Sequence, residues 1–186
     1  MPRLWFCKKG IAAVEFALIA PILLVIFLGL VDIVQLLRMN YRLARVAETG
    51  ADITSRCMSV NNSYMAMIMD AARAGAAPIN LRAVALTISV LEMQANNTKG
   101  KIVWSRKTGT GSGRMVGEEL DILPTSTAIS DGDHIVFAEA EYVYQGLLSS
   151  FFMGDVTLNE TALFFPRFSD TISHNPAAPN PNCEGG

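Results

Sequence analysis

One carboxylate in this chain stands among residues that give it no partner. Glu15 lies inside the apolar run Ile11–Leu37, five residues after Gly10 and behind a leader whose only charges are Arg3, Lys8 and Lys9. A charge at the middle of a membrane-spanning helix costs about 2.5–3.5 kcal/mol on insertion scales, and less toward the ends. At 1.5 Å per residue, Glu15 sits about 6 Å past Ile11. Snorkelling to the interface accounts for its position alone. A cut after Gly10 accounts for it in another way. Ile11 would then carry a free α-amine, with an unperturbed pKa of about 8. A carboxylate four residues on could neutralise that amine, or the amine of a neighbouring subunit, and so offset the burial of both charges.

The other reactive side chains are dispersed. His134 and His174 are isolated in sequence, and neither belongs to a metal-ligand spacing. No G-x-S-x-G elbow is present. The run Gly109-Thr110-Gly111-Ser112-Gly113-Arg114 lacks the spacing and the Lys-Ser/Thr end of a phosphate loop, and reads as a hairpin loop. Glu118, Glu119 and Asp121 lack the ligand order of an EF-hand and read as a solvated loop. Met65, Met67 and Met69 have no Cys or His beside them and read as core filling. The sequence therefore predicts no catalysis, no metal and no cofactor.

Glu15 needs a helix to hold it. Ile11–Leu37 is 27 residues with only Glu15, Asp32 and Gln35 strongly polar. About 20 apolar residues cross a bilayer core, so the run can span it with some tilt. A cleaved secretory signal is the rival, but its apolar region would be shorter and would end in a small-x-small site. The apolar stripe then continues through Leu36, Met39, Leu43, Val46, Gly50, Ile53 and Cys57. Its 3-4 spacing predicts one rod from Ile11 to about Arg56, with its second half against a folded domain. A second helix is expected over Ser63–Ala77, capped by Asn62 or Ser63, buried through Tyr64, Met65, Ile68, Ala72 and Ala76, and stopped by Pro78.

From Val84 the period changes to two. Val84–Val90, Ile102–Lys107, Ile135–Tyr144 and Val156–Phe165 read as strands, with a turn near Asn96-Asn97. About four antiparallel strands form the simplest sheet, and residues 108–133 form an excursion. The Pro- and Asn-rich end past Phe168 is expected to be loose unless Cys183 ties it down. The domains expected are a leader 1–10, a span 11–37, a helical extension 38–57, an α+β domain 58–168 and a tail 169–186.

Charge sets the orientation. The whole chain carries −2, and residues 11–186 carry −5, so nothing resembles a nucleic-acid surface. The basic leader favours a cytoplasmic N-terminus with the domain outside. Arg38, Arg42 and Arg45 oppose this, although a long translocated domain tolerates them. Cys7 then lies inside, while Cys57 and Cys183 lie where disulfides persist. Whether these two pair, or remain as a thiol buried on a helix and another in a loose tail, stays open.

Gly10-Ile11-Ala12-Ala13-Val14-Glu15-Phe16-Ala17-Leu18-Ile19-Ala20-Pro21 resembles the start of TadE-like proteins, pseudopilins of the tight-adherence (Tad/Flp) pilus system. The resemblance covers about residues 8–55. Ala138–Tyr144 and Pro166-Arg167-Phe168 resemble the family more weakly. The resemblance implies a pilin-like α+β fold, in which a long N-terminal transmembrane helix packs on an antiparallel sheet with a second short helix. It also implies cleavage between Gly10 and Ile11 by a prepilin peptidase, and subunit alignment through Glu15 and Phe16. The role implied is that of a minor pilin-like subunit in the bacterial inner membrane, with a periplasmic domain. Its partners would be other pilins and the assembly platform. The alternative is an uncleaved single-pass envelope protein with a periplasmic binding domain.

Overall fold

The computed structural model describes residues 8–77, 83–94, 99–108, 113–122, 130–146, 154–176 and 182–183. Leader residues 1–7, Pro78, Asn96-Asn97 and the glycine run 109–112 lie outside them. The chain divides into two compact units, residues 1–38 with 144–156, and residues 39–143 with 157–186.

The order of elements is α1 (Lys8–Ser55), β1 (Cys57–Val60), α2 (Asn62–Ala74), β2 (Ala85–Met93), β3 (Lys99–Thr108), β4 (Glu119–Asp121), β5 (His134–Tyr144), β6 (Val156–Phe164), β7 (Ser173–His174) and β8 (Asn182–Cys183). This is the expected α+β arrangement: a long apolar N-terminal helix and a second helix with an antiparallel sheet. Pro21 lies inside α1 and does not end it.

In the larger unit, the main sheet runs β4-β3-β2-β5-β6. Pairing of β2 with β3 and with β5 is antiparallel, Val90 facing both Trp104 and Val136. Central β2 is buried at every position except Glu92, as a strand covered on both faces must be. Leu43, Val46, Ala47 and Ala51 of α1 are buried, as are Met65, Ile68, Met69 and Ala72 of α2. Gly50 brings α1 close to Ile88 and Leu86 of β2 and to Ala72 of α2. Each fully buried Leu or Ile at this junction contributes about 1.5–3 kcal/mol. A second cluster, Leu91, Ile102 and Phe137, has Leu120 and Ile122 packed against it.

Three expectations change. The second helix begins a residue early: Asn61 is its cap, its side-chain oxygen accepting from the Tyr64 N–H at 2.7 Å, and Gly75 ends it before Pro78. An Asx side chain at that position satisfies one of the helix's orphan donors. Residues 108–133 contain a fifth main-sheet strand, β4, whose Glu119 and Asp121 oppose Lys101 and Lys99 of β3. Opposite charges facing across strands favour that pairing. Finally, the stripe ends before Cys57. The helix stops at Ser55, and Cys57 opens β1 of a small sheet ordered β7-β1-β8. The expected tail thus supplies two strands to this sheet, with Ile172 fully buried beside it.

Candidate membrane and assembly helix

In the smaller unit, α1 presents its apolar side chains outward. Its most apolar 18 residues have a mean hydropathy of 2.8, and only 6% of that window is buried. Val14, Leu18, Ile22, Leu23, Ile26, Phe27, Leu30 and Leu37 are all exposed. A helix apolar all round and left uncovered is built for a lipid or protein surround. Among the described residues, this N-terminal helix is the one long and apolar enough to cross a membrane, as a single-pass anchor does.

Gly10 lies in the helix, and a Cβ placed there would meet nothing within 4 Å. Ile11 follows in the same helix, its side chain outside the described residues. Glu15 is exposed, and among the described residues it makes no ion pair. Phe16 beside it is 68% exposed. Ile11 and Glu15, at i and i+4, share one helix face. Asp32, by contrast, is buried, and its carbonyl lies 3.5 Å from the Tyr144 hydroxyl.

In the larger unit, Cys57 and Cys183 are joined by a disulfide between β1 and β8. Asp52 accepts from the Arg56 guanidinium at 2.6 Å and from that of Arg167 at 2.5 Å, while the Arg167 N–H donates to the Ser55 carbonyl at 2.9 Å. These bonds fix residue 167 to the end of α1.

The histidines are isolated in sequence but engaged in space. His134 Nδ1 accepts from the Ile172 N–H at 2.9 Å, and the Ile172 carbonyl accepts from Trp104 Nε1 at 2.9 Å. Burial lowers the pKa of His134 against the opposing charges of Glu92 and Asp133. His174 lies against Trp104, ring centres 5.4 Å apart, with Arg106 beside it. Burial lowers its pKa too, aided by the Arg106 charge. Sequence spacing could not show these contacts, because 38 residues separate His134 from Ile172 and 68 separate Arg106 from His174.

The clefts offer little chemistry. A cavity of about 300 Å³ is lined by Arg114, Glu118, Glu139, Glu141, Asn159 and Glu160, among others. Arg114 bonds Glu118 and Glu139, and Asn40 donates to Glu160, so three of its carboxylates serve structural contacts. Among the described residues no group of three His, Cys, Asp or Glu side chains is placed to hold a metal ion.

Residues 10–52 match the family described as TadE-like protein. The match begins at Gly10, ends at Asp52 and falls wholly within α1. It includes the exposed apolar segment and the first part of the helix that packs on the sheet, and it stops before both weaker resemblances at 138–144 and 166–168. That family is a structural, pilus-associated one, and the part of this chain that is similar to it is α1. No curated protein and no solved structure matches the chain.

Proposed function

We propose that the protein is a minor pilin-like subunit in the biogenesis of a tight-adherence pilus, with a structural role and no catalysis. The observation that carries this reading is the family match on α1, which starts at Gly10 and runs along an exposed apolar surface. Residues 11–37 hold the precursor in the inner membrane, N-terminus inside, with residues 58–168 folded in the periplasm. A prepilin peptidase cuts between Gly10 and Ile11. The Ile11 amine that results is neutralised by Glu15, its own or that of the next subunit, and Phe16 packs beside the pair. When the subunit leaves the bilayer, the exposed apolar residues exchange lipid for other pilins. Such exchange brings no new exclusion of water, so packing and the amine–carboxylate pair select the arrangement.

Mass spectrometry of the mature N-terminus tests this. Co-expression with the matching peptidase should yield a chain beginning at Ile11, and Gly10→Leu should leave the leader in place. A wild-type chain that keeps its leader and still supports pilus assembly would overturn the reading. The uncleaved anchor has one observation in its favour: α1 already runs through the Gly10–Ile11 bond from Lys8. Under the processed reading, the peptidase must unwind that first turn. Glycine, about 1 kcal/mol less helix-favouring than alanine, makes unwinding easier there.

A further inference from the structure

The exposed side of α1 changes chemistry past Leu37. Its large exposed apolar residues run from Val14 to Leu37. Arg38 follows and is exposed, the next large exposed hydrophobic side chain is Tyr41, at 72%, and Arg42 and Arg45 come after it, half-buried and exposed. Tyr41 and Arg45 stand at i and i+4, Arg42 and Arg45 at i and i+3, so the three share a face. Leu43, Val46 and Ala47 point the other way and are buried. Among the described residues neither arginine makes an ion pair.

Cations just beyond a lipid-length run stand at the level of the lipid headgroups, where anionic lipids supply opposite charge. A guanidinium presents a planar fork that fits phosphate oxygens, and tyrosine settles at the level of lipid headgroups.

We propose that Tyr41, Arg42 and Arg45 form a docking site for anionic phospholipid headgroups. The phosphodiester accepts hydrogen bonds from the two guanidinium groups, and the Tyr41 ring lies in the interfacial layer beside them. The site holds the start of the sheet-bearing unit at the bilayer surface. It rests only on the membrane-anchor part of the reading above, and a chain whose leader stayed uncut would bind in the same way.

The full-length protein, reconstituted in mixed phosphatidylglycerol and phosphatidylethanolamine bilayers and released into mild detergent, tests this by native mass spectrometry of the lipids it retains. Phosphatidylglycerol should be enriched over phosphatidylethanolamine, and added salt should reduce the enrichment. Arg42→Gln and Arg45→Gln should each lower it by about fivefold. Lysine at both positions should keep most of it, which separates loss of charge from loss of fold. Equal retention of the two lipids, or enrichment unchanged in the glutamine variants, would overturn the proposal. A second copy of the chain retained in place of lipid would also overturn it and assign the face to a subunit contact.

Discussion

Arg114 meets Glu139 through two parallel hydrogen bonds, Nε to Oε2 at 2.8 Å and Nη2 to Oε1 at 2.6 Å. Its remaining nitrogen, Nη1, donates to Glu118 Oε1 at 2.9 Å. The three residues close a turn in which Glu118 accepts from the Met115 N–H and Gly117 takes a φ of +89°. The Glu139 hydrogen bonds raise the pKa of Arg114 above its ordinary value, with burial opposing and Glu118 adding to the rise. Arg114 and Glu139 are 33% and 24% exposed, which limits the worth of the pair. Arg114→Gln should cost about 1 kcal/mol, the upper end for a well-formed, partly exposed pair. Arg114→Lys should restore little, because lysine lacks the fork. Urea denaturation of the three proteins measures both effects.

The disulfide ties residues 126 apart in sequence. On the chain-entropy model, opening a loop of that length costs about 4–5 kcal/mol. Cys57→Ser with Cys183→Ser should therefore lower stability by up to about that amount. Wild-type protein in reductant should fall to the same level. Denaturation with and without reductant checks this, and a reductant effect that persists in the double variant would trace the loss to another thiol.

Acid should weaken the sheet-bearing unit as its two histidines take up protons. His134 and His174 are both held below their ordinary value of 6.5 in the folded state, so the unfolded chain takes up protons first. Stability then falls as pH drops through about 6.5 toward the folded-state values, and is fully present above that window. The Ile172 N–H points at His134 Nδ1, which must be unprotonated to accept it. Unfolding measured between about pH 7.5 and about pH 5 should show the decline, and replacing both histidines with glutamine should flatten it.

Much of this architecture is legible in the sequence because it depends on periodicity. The 3-4 stripe through Leu43, Val46 and Gly50 and the alternation through Leu86, Ile88 and Val90 mark the faces that meet. What escapes is decided by pairing at long range. β4 is only three residues long and acidic, and lysines across from it make it a strand. Asn- and Pro-rich composition reads as a loose tail, yet Ile172 is held by partners at positions 104 and 134. Cys57 continues the helical spacing, but the helix ends two residues before it, and it pairs as a strand with a segment that local pattern cannot locate. In the N-terminal segment, Glu15 stands out five residues after Gly10 because a carboxylate in an apolar run is costly, a property of the sequence that needs no tertiary context.

Glu15→Ala separates alignment from processing. In the proposed role the peptidase acts at Gly10 and Ile11, so N-terminal sequencing of the variant should still show Ile11 first. Pilus number by electron microscopy should fall sharply, because the Ile11 amine is left without its partner in an apolar surround. Glu15→Gln keeps the shape and removes the charge, and should fail to the same degree. Normal piliation in either variant would remove the alignment role.

Gly50 tests how α1 meets the sheet. A Cβ there would lie 3.2 Å from Ile88 Cδ1, 3.4 Å from Leu86 Cδ2 and 3.7 Å from the Ala72 Cβ. Glycine inside a helix is about 1 kcal/mol less favourable than alanine. Gly50→Ala gains that preference and must displace only the tip of Ile88, so its stability should stay within about 1 kcal/mol of wild type. Gly50→Leu must fit three more carbons into the same gap, and overpacking of this kind costs about 1–3 kcal/mol. Urea titration of the full-length chain in detergent, followed by circular dichroism, should place the leucine variant well below the alanine one. Equal stability of the two would mean that α1 does not approach β2 closely at this turn.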